Sequence, residues 1–88
     1  MRDKDKTNLL GMLEAINRIK KYVKSITNSD DFFKNEVVYD AVLMNFVVIG
    51  EMSERISKKL KNKHDKIEWT KIKDFRNIIA HDYFGIDA

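Results

Sequence analysis

Apolar residues return at three- and four-residue steps through Leu9, Leu10, Met12, Leu13, Ile16, Ile19, Tyr22, Val23 and Ile26. That is the period of a helix with one buried face. The other face carries Glu14, Asn17, Arg18, Lys20, Lys21 and Lys24, so a first helix is predicted over about residues 5–27. Asn28, Ser29, Asp30 and Asp31 form a turn cluster, and Phe32 and Phe33 are expected on a short helical turn against the core. Asn35 is a suitable N-cap and Glu36 a suitable first-turn acid for a second helix, predicted from about Glu36 to Lys61. Its apolar series runs Val38, Val42, Asn45/Phe46, Ile49, Met52, Ile56 and Leu60. From Ala41 to Met52 the helix is apolar on more than one face. One stripe serves the core. The second, with Phe46, Val47 and Val48, is assigned to an interface; the alternative is contact on several sides by its own chain. Gly50 in this helix costs about 1 kcal/mol relative to Ala and suggests close approach of another backbone. Asn62 to Lys66 reads as a polar loop. A last helical stretch is predicted from about Trp69 to His81, with a break expected near Lys73 and Asp74 and an apolar side of Ile67, Trp69, Ile72, Phe75, Ile78 and Ile79.

Composition strengthens the all-α reading. The chain has 88 residues, no proline and three glycines, where average usage would give roughly four and six. Hairpins and phosphate-binding glycine loops need those residues, so a Walker-type loop and a dinucleotide fingerprint are excluded. One domain over residues 1–88 is expected. A domain this small is marginal alone, and cysteine is absent, which removes disulfides and thiolate chemistry. Two histidines, His64 and His81, cannot make a multi-histidine zinc site within one chain. Neither a metal nor another cofactor is expected. Oligomerisation is the remaining reinforcement, so a homodimer is expected. The charged N-terminus lacks the apolar core of a signal peptide, and the longest apolar-rich run, Ala41 to Ile49, falls far short of a membrane span. The expected location is the cytoplasm, without membrane contact.

The net charge is +3, unevenly spread. Residues 29–54 are acidic, whereas Arg55, Lys58, Lys59, Lys61, Lys63 and Lys66 crowd one short stretch. This is either a solvated helix end, where lysine suits the dipole, or a footprint for a polyanion.

The last helix ends in a polar set: Arg76, Asn77, His81, Asp82 and Tyr83. Asn77 and His81, four apart, share a face to within about 40°, whereas Arg76 and His81, five apart, diverge by about 140° on an ideal helix. They converge only if the arginine reaches across or the helix end is distorted. Tyr83 returns near the face of Arg76, and Gly85 can end the helix in a left-handed conformation. An imidazole moves protons near neutral pH, and a guanidinium holds phosphate oxygens. Together they suit metal-independent RNA cleavage by a ribose 2′-hydroxyl. The bland alternative pairs Arg76 with Asp74 or Asp82 and leaves His81 capping carbonyls.

Arg76, four residues, His81, one residue and Tyr83 resemble the signature of the HEPN ribonuclease superfamily, specifically the HepT-like toxins. Ile49-Gly50-Glu51, and Trp69 with Ile72 ahead of the motif, agree. The resemblance covers nearly the whole chain. It implies an up-and-down helical bundle that homodimerises, and an RNA-cleaving toxin neutralised by a minimal nucleotidyltransferase antitoxin. Arg76 and His81 would form the catalytic pair, with copies from both subunits in one cleft. Asn77 would support them, as would Glu51, and Tyr83 would be adenylylated. The phenol is expected near the same cleft, so that the adenylate phosphate lies beside Arg76. The competing expectation is a non-catalytic helical module that binds a nucleotidyltransferase or a nucleotide. Family members usually continue into a further helix after the motif. This chain stops at Ala88, so a bundle lacking that helix is expected.

Overall fold

A computed structural model describes residues 2–86. Among them are five helices and no strand: α1 (Asp3–Tyr22), α2 (Ser29–Lys34), α3 (Glu36–Glu54), α4 (Lys58–Lys63) and α5 (Trp69–Ile78). A 3₁₀ turn, Val23–Ser25, extends α1, and a π-helical turn, Ile79–Tyr83, extends α5. The all-α expectation holds.

α3 is the central rod, with α1 and α5 packed along it. Gly11 of α1 lies against Met52, and Asp5 reaches Ser57 just beyond α3. α1 and α3 are therefore antiparallel. Arg76 meets Gly50 and Glu51 while Tyr83 meets Asp40, so α5 and α3 are antiparallel as well. The result is an up-and-down arrangement measuring 41 × 26 × 21 Å.

Three boundaries differ from the expected ones. The cluster Asn28–Asp31 is the start of a helix rather than a free turn. The Asn28 side chain accepts the Asp31 N–H at 2.9 Å, and Asp30 and Asp31 sit in the first turn, where carboxylates suit the helix dipole. The predicted 36–61 helix is two helices. α3 stops at Glu54, and Ser57, in extended geometry, caps α4 by accepting the Leu60 N–H at 3.2 Å. Asp5 fixes this break, accepting the Ser57 N–H at 2.8 Å and its O–H at 2.6 Å. These bonds, the hydroxyl first, hold the Asp5 carboxyl below its usual value although the residue is buried. The last predicted stretch, α5, runs without interruption through Lys73 and Asp74; its irregularity comes later, at Ile79. Asn35 caps α3 as expected, accepting the Val38 N–H at 3.1 Å.

The buried apolar set is thin: Ala15, Val42, Ile56, Ile79 and Ala80. Much of the apolar periodicity that reads as core remains accessible. Leu10, Leu13, Phe75 and Ile78 are each about half exposed or more, and Val37 is 79% exposed. Of the second stripe, Phe46 is engaged within the chain. It packs edge-on to Phe75 with ring centroids 5.4 Å apart.

Candidate functional site

Gly50 decides how closely α5 can lie on α3. A Cβ placed there would sit 2.3 Å from Cβ and 2.4 Å from Cγ of Arg76. The arginine stem therefore occupies the space that a side chain at position 50 would fill. From this crossing the guanidinium extends along α3 to Glu51 and Glu54. Nη1 donates to Glu51 Oε1, and Nη2 lies 3.4 Å from Glu54 Oε1. Lys73 adds a second cation 3.6 Å from that same Glu54 oxygen. Arg76 is 7% exposed and its Nε–H is buried without a hydrogen-bond acceptor among the described residues. A buried guanidinium needs such partners, because desolvating an unpaired charge is costly.

Of the expected site residues, then, Arg76 and Glu51 are in direct contact. Glu54 is a partner that the sequence reading missed, although it shares a face of α3 with Gly50 and Glu51 at helical spacing. Arg76 pairs with neither Asp74 nor Asp82.

Asn77, half-buried, and His81, exposed, follow on α5 and the π turn. The turn bears on the angle between Arg76 and His81. An α-helix would set them about 140° apart. A π turn closes i→i+5 hydrogen bonds and takes more residues per turn, so positions five apart lie closer to one face. Its signature bond runs from the Phe84 N–H to the Ile79 carbonyl at 3.1 Å. The turn ends at Gly85, in the left-handed region with φ of 65°, and the Ile86 N–H bonds back to the Ala80 carbonyl at 2.7 Å. Glycine takes this conformation without the Cβ penalty. Only the last steps from Arg76 to His81 lie in the π turn, which begins at Ile79, so it narrows the angle between them without closing it.

Tyr83 lies on the α3-facing side, like Arg76, but not at the same place. Its hydroxyl donates to Asp40 Oδ1, and its ring packs edge-on to Tyr39 at 5.5 Å and Phe84 at 4.8 Å. Asp40 and Glu51 are about three turns apart on α3, roughly 16 Å along its axis. Within one chain the phenol therefore stands away from the Arg76 guanidinium, and the expectation that an adenylate there sits beside Arg76 does not hold for a single protomer. The Asp40 bond, then burial, push the Tyr83 phenol up to about 12. No sequence signal marked Asp40, because only the register of α5 against α3 brings it to Tyr83.

The profile of the Ribonuclease HepT-like family matches residues 12–88. A Methanocaldococcus jannaschii protein named as a gamma-glutamylcyclotransferase and putative RNase is 34% identical over 99% of this chain and 39% of its own length. A second protein of that organism, named a putative RNase, is 33% identical over 93% of this chain and 74% of its own length. A protein of Thermococcus cleftensis named probable ribonuclease HepT is 31% identical over all of this chain and 79% of its own length. The chain thus spans well under half of the first relative and about three quarters of the other two. No solved structure gives a significant match. The profile match and the relatives that the chain covers for most of their length place it, by descent, in the HepT-like ribonuclease family.

Proposed function

We propose that this protein is a metal-independent endoribonuclease, with Arg76 and His81 as catalytic residues, and that it acts as the toxin of a toxin–antitoxin pair. The observation that carries the reading is the π turn after Arg76, which distorts the helix where the two side chains need to converge. The names of the relatives support ribonuclease activity. In the proposed reaction the ribose 2′-oxygen bonds to phosphorus and the bond from phosphorus to the 5′-oxygen breaks. His81 takes the 2′-hydroxyl proton, and water delivers a proton to the leaving 5′-oxygen. Arg76 is oriented by Glu51 and Glu54; its Nε–H is buried, so its unbonded Nη–H groups are the donors proposed for the phosphate oxygens. Asn77 supports the imidazole from the same helix face.

RNA is the proposed substrate, and the lysines of α4 are a proposed contact for its backbone. The accessible Leu10, Leu13, Phe75 and Ile78 support association as a homodimer, which would bring two copies of the pair into one cleft. A nucleotidyltransferase is the proposed antitoxin. It would transfer adenylate from ATP to Tyr83: the phenolic oxygen bonds to the α-phosphorus, pyrophosphate leaves and the phenolic proton is lost. The proposed location is the cytoplasm; among the described residues no helix is long and apolar enough to cross a membrane.

The burial of Arg76 between two carboxylates favours a second reading, in which it is a structural clamp in a non-catalytic module that binds a nucleotidyltransferase or a nucleotide. An RNA assay with Arg76→Ala and His81→Ala separates the two. Cleavage that survives chelator, leaves 2′,3′-cyclic phosphate ends and is lost in both variants is expected. Cleavage restored only by Mg²⁺, or unaffected by either substitution, would overturn the catalytic reading.

A further inference from the structure

Two fastenings hold α5 and its π turn along α3. Toward the C-terminal end of α3, Arg76 fills the notch at Gly50 and pairs with Glu51 and Glu54. Toward the N-terminal end, Tyr83 bonds Asp40 and lies edge-on to Tyr39, which is itself backed by Phe32 at 5.1 Å and Phe33 at 5.7 Å. His81 stands between the two fastenings, on the π turn.

π turns are rare, and an uncommon backbone arrangement persists only where its surroundings over-determine it. Burial of Ile79 and Ala80 fixes the start of this one. Its end is held by the left-handed Gly85, by the Ile86 N–H on the Ala80 carbonyl, and by the side-chain anchor of Tyr83, a residue that is 47% exposed. Releasing that end would let the turn return to α-helical hydrogen bonding and rotate the residues within it about the axis, by less than one full residue step of about 100°. His81 would turn with it, while Arg76, upstream and wedged at Gly50, would not.

We propose that Asp40 is a positioning residue: by anchoring Tyr83 it keeps the π turn in register and so sets where His81 stands relative to Arg76. The inference rests on reading Arg76 and His81 as an RNA-cleaving pair. Asp40 itself need not touch RNA. Tyr83 gains a task in the unmodified protein, because its hydroxyl must carry a proton to donate to Asp40. A phenol holds that proton at neutral pH in any case, and the Asp40 bond extends its hold into the alkaline range. An adenylate on the phenolic oxygen would remove the donor and set a phosphate charge against the Asp40 carboxylate. Modification would then act by releasing His81 rather than by occupying Arg76.

The test uses the full chain and three variants: Asp40→Ala, Tyr83→Phe and Asp40→Asn. The first readout is the His81 imidazole by NMR, with its pH titration; His64 is the other histidine and serves as internal reference. The second is the kinetics of RNA cleavage. Asp40→Ala and Tyr83→Phe should shift the His81 resonances and leave those of His64 in place. In the same variants kcat should fall about 10²-fold, the cost of a displaced catalytic group, with KM changed less than about threefold. Asp40→Asn keeps an acceptor oxygen and should restore both readouts. Tyr83→Phe keeps the ring contacts, so it tests the bond even where Asp40→Ala is poorly folded. Unmoved His81 resonances in Tyr83→Phe, or equal impairment by Asn and Ala at position 40, would overturn the proposal. Should the wild type cut no RNA while His81 still responds, the catalytic reading fails and the hold of Asp40 on the turn stands.

Discussion

Replacing Gly50 by alanine sets two effects of known size against each other. Within a helix, alanine is favoured over glycine by about 1 kcal/mol. Against this, the new Cβ would lie 2.3 and 2.4 Å from Cβ and Cγ of Arg76, about 1 Å inside the ordinary contact range of 3.4–4 Å. Arg76 Cα is only 3.6 Å away, so the obstruction is the root of the side chain and not its flexible tip. Relief requires moving α5 off α3. Overpacking of this kind costs about 1–3 kcal/mol, occasionally more. Displacing the guanidinium from Glu51 and Glu54 adds the cost of a loosened buried charge. The sum outweighs the helix gain, and a net loss of about 2 kcal/mol is expected, or a fall in Tm of roughly 8–16 °C for a domain of this size. Thermal unfolding followed by circular dichroism measures it directly. Gly11→Ala is the matched control. Its Cβ would meet Met52 Sδ at 3.3 Å, an atom on a flexible side chain that can yield. That variant should be neutral, or stabilised by up to about 1 kcal/mol. If Gly50→Ala is as stable as Gly11→Ala, the close crossing of α5 over α3 at Gly50 is wrong.

The carboxyl of Asp5 is held low by Ser57, so its contribution to stability is present above the ordinary carboxyl value of 3.8 and is lost as pH falls through the lower folded value. Urea midpoints should therefore drop in acid, and drop less steeply in Ser57→Ala. Tyr83 behaves oppositely: its folded pKa is raised from 10.0 to about 12, so its contribution is full below 10.0 and disappears as pH rises through about 12. Alkaline difference spectra should show one late-ionising tyrosine, absent in Tyr83→Phe and earlier in Asp40→Ala. Reversing Lys58, Lys59, Lys61 and Lys63 to glutamate should weaken RNA binding across sequences and flatten its log–log salt dependence by about 0.7 for each phosphate no longer neutralised. An unchanged slope would remove α4 from the RNA path.

Periodicity made the three long helices legible, because a repeated apolar face leaves its mark on every turn. Short-range capping at Asn35 was equally readable. The end of α3 was not, since its cause is a carboxylate from the opposite end of α1. Ser57 on its own looks like any polar residue on a helix surface. The same limit governs the site. Arg76, His81 and Tyr83 stand out as a motif, and Gly50 announces a close approach, yet nothing local says that Arg76 is what approaches. The phenol could be placed on the right face by counting turns. Counting could not show that two turns along α5 carry it to Asp40, well away from Glu51. The π turn lay beyond reach because it arises from packing and from Gly85 together, not from any propensity of Ile79 to Tyr83.

The Asp5–Ser57 pairing has a kinetic side. Its two hydrogen bonds join residues 52 positions apart in the chain. Neither can form until α1 and α3 have each grown most of their length and docked antiparallel. Helices elongate locally and fast, whereas this pairing waits for the chain to close on itself. It is expected among the last steps on the way to the native state, which a chevron plot of Ser57→Ala would test. Interactions made after the barrier slow unfolding and leave the folding rate almost untouched. The break between α3 and α4 is in this sense a lock closed at the end, and removal of the Ser57 hydroxyl should be felt almost wholly as faster opening.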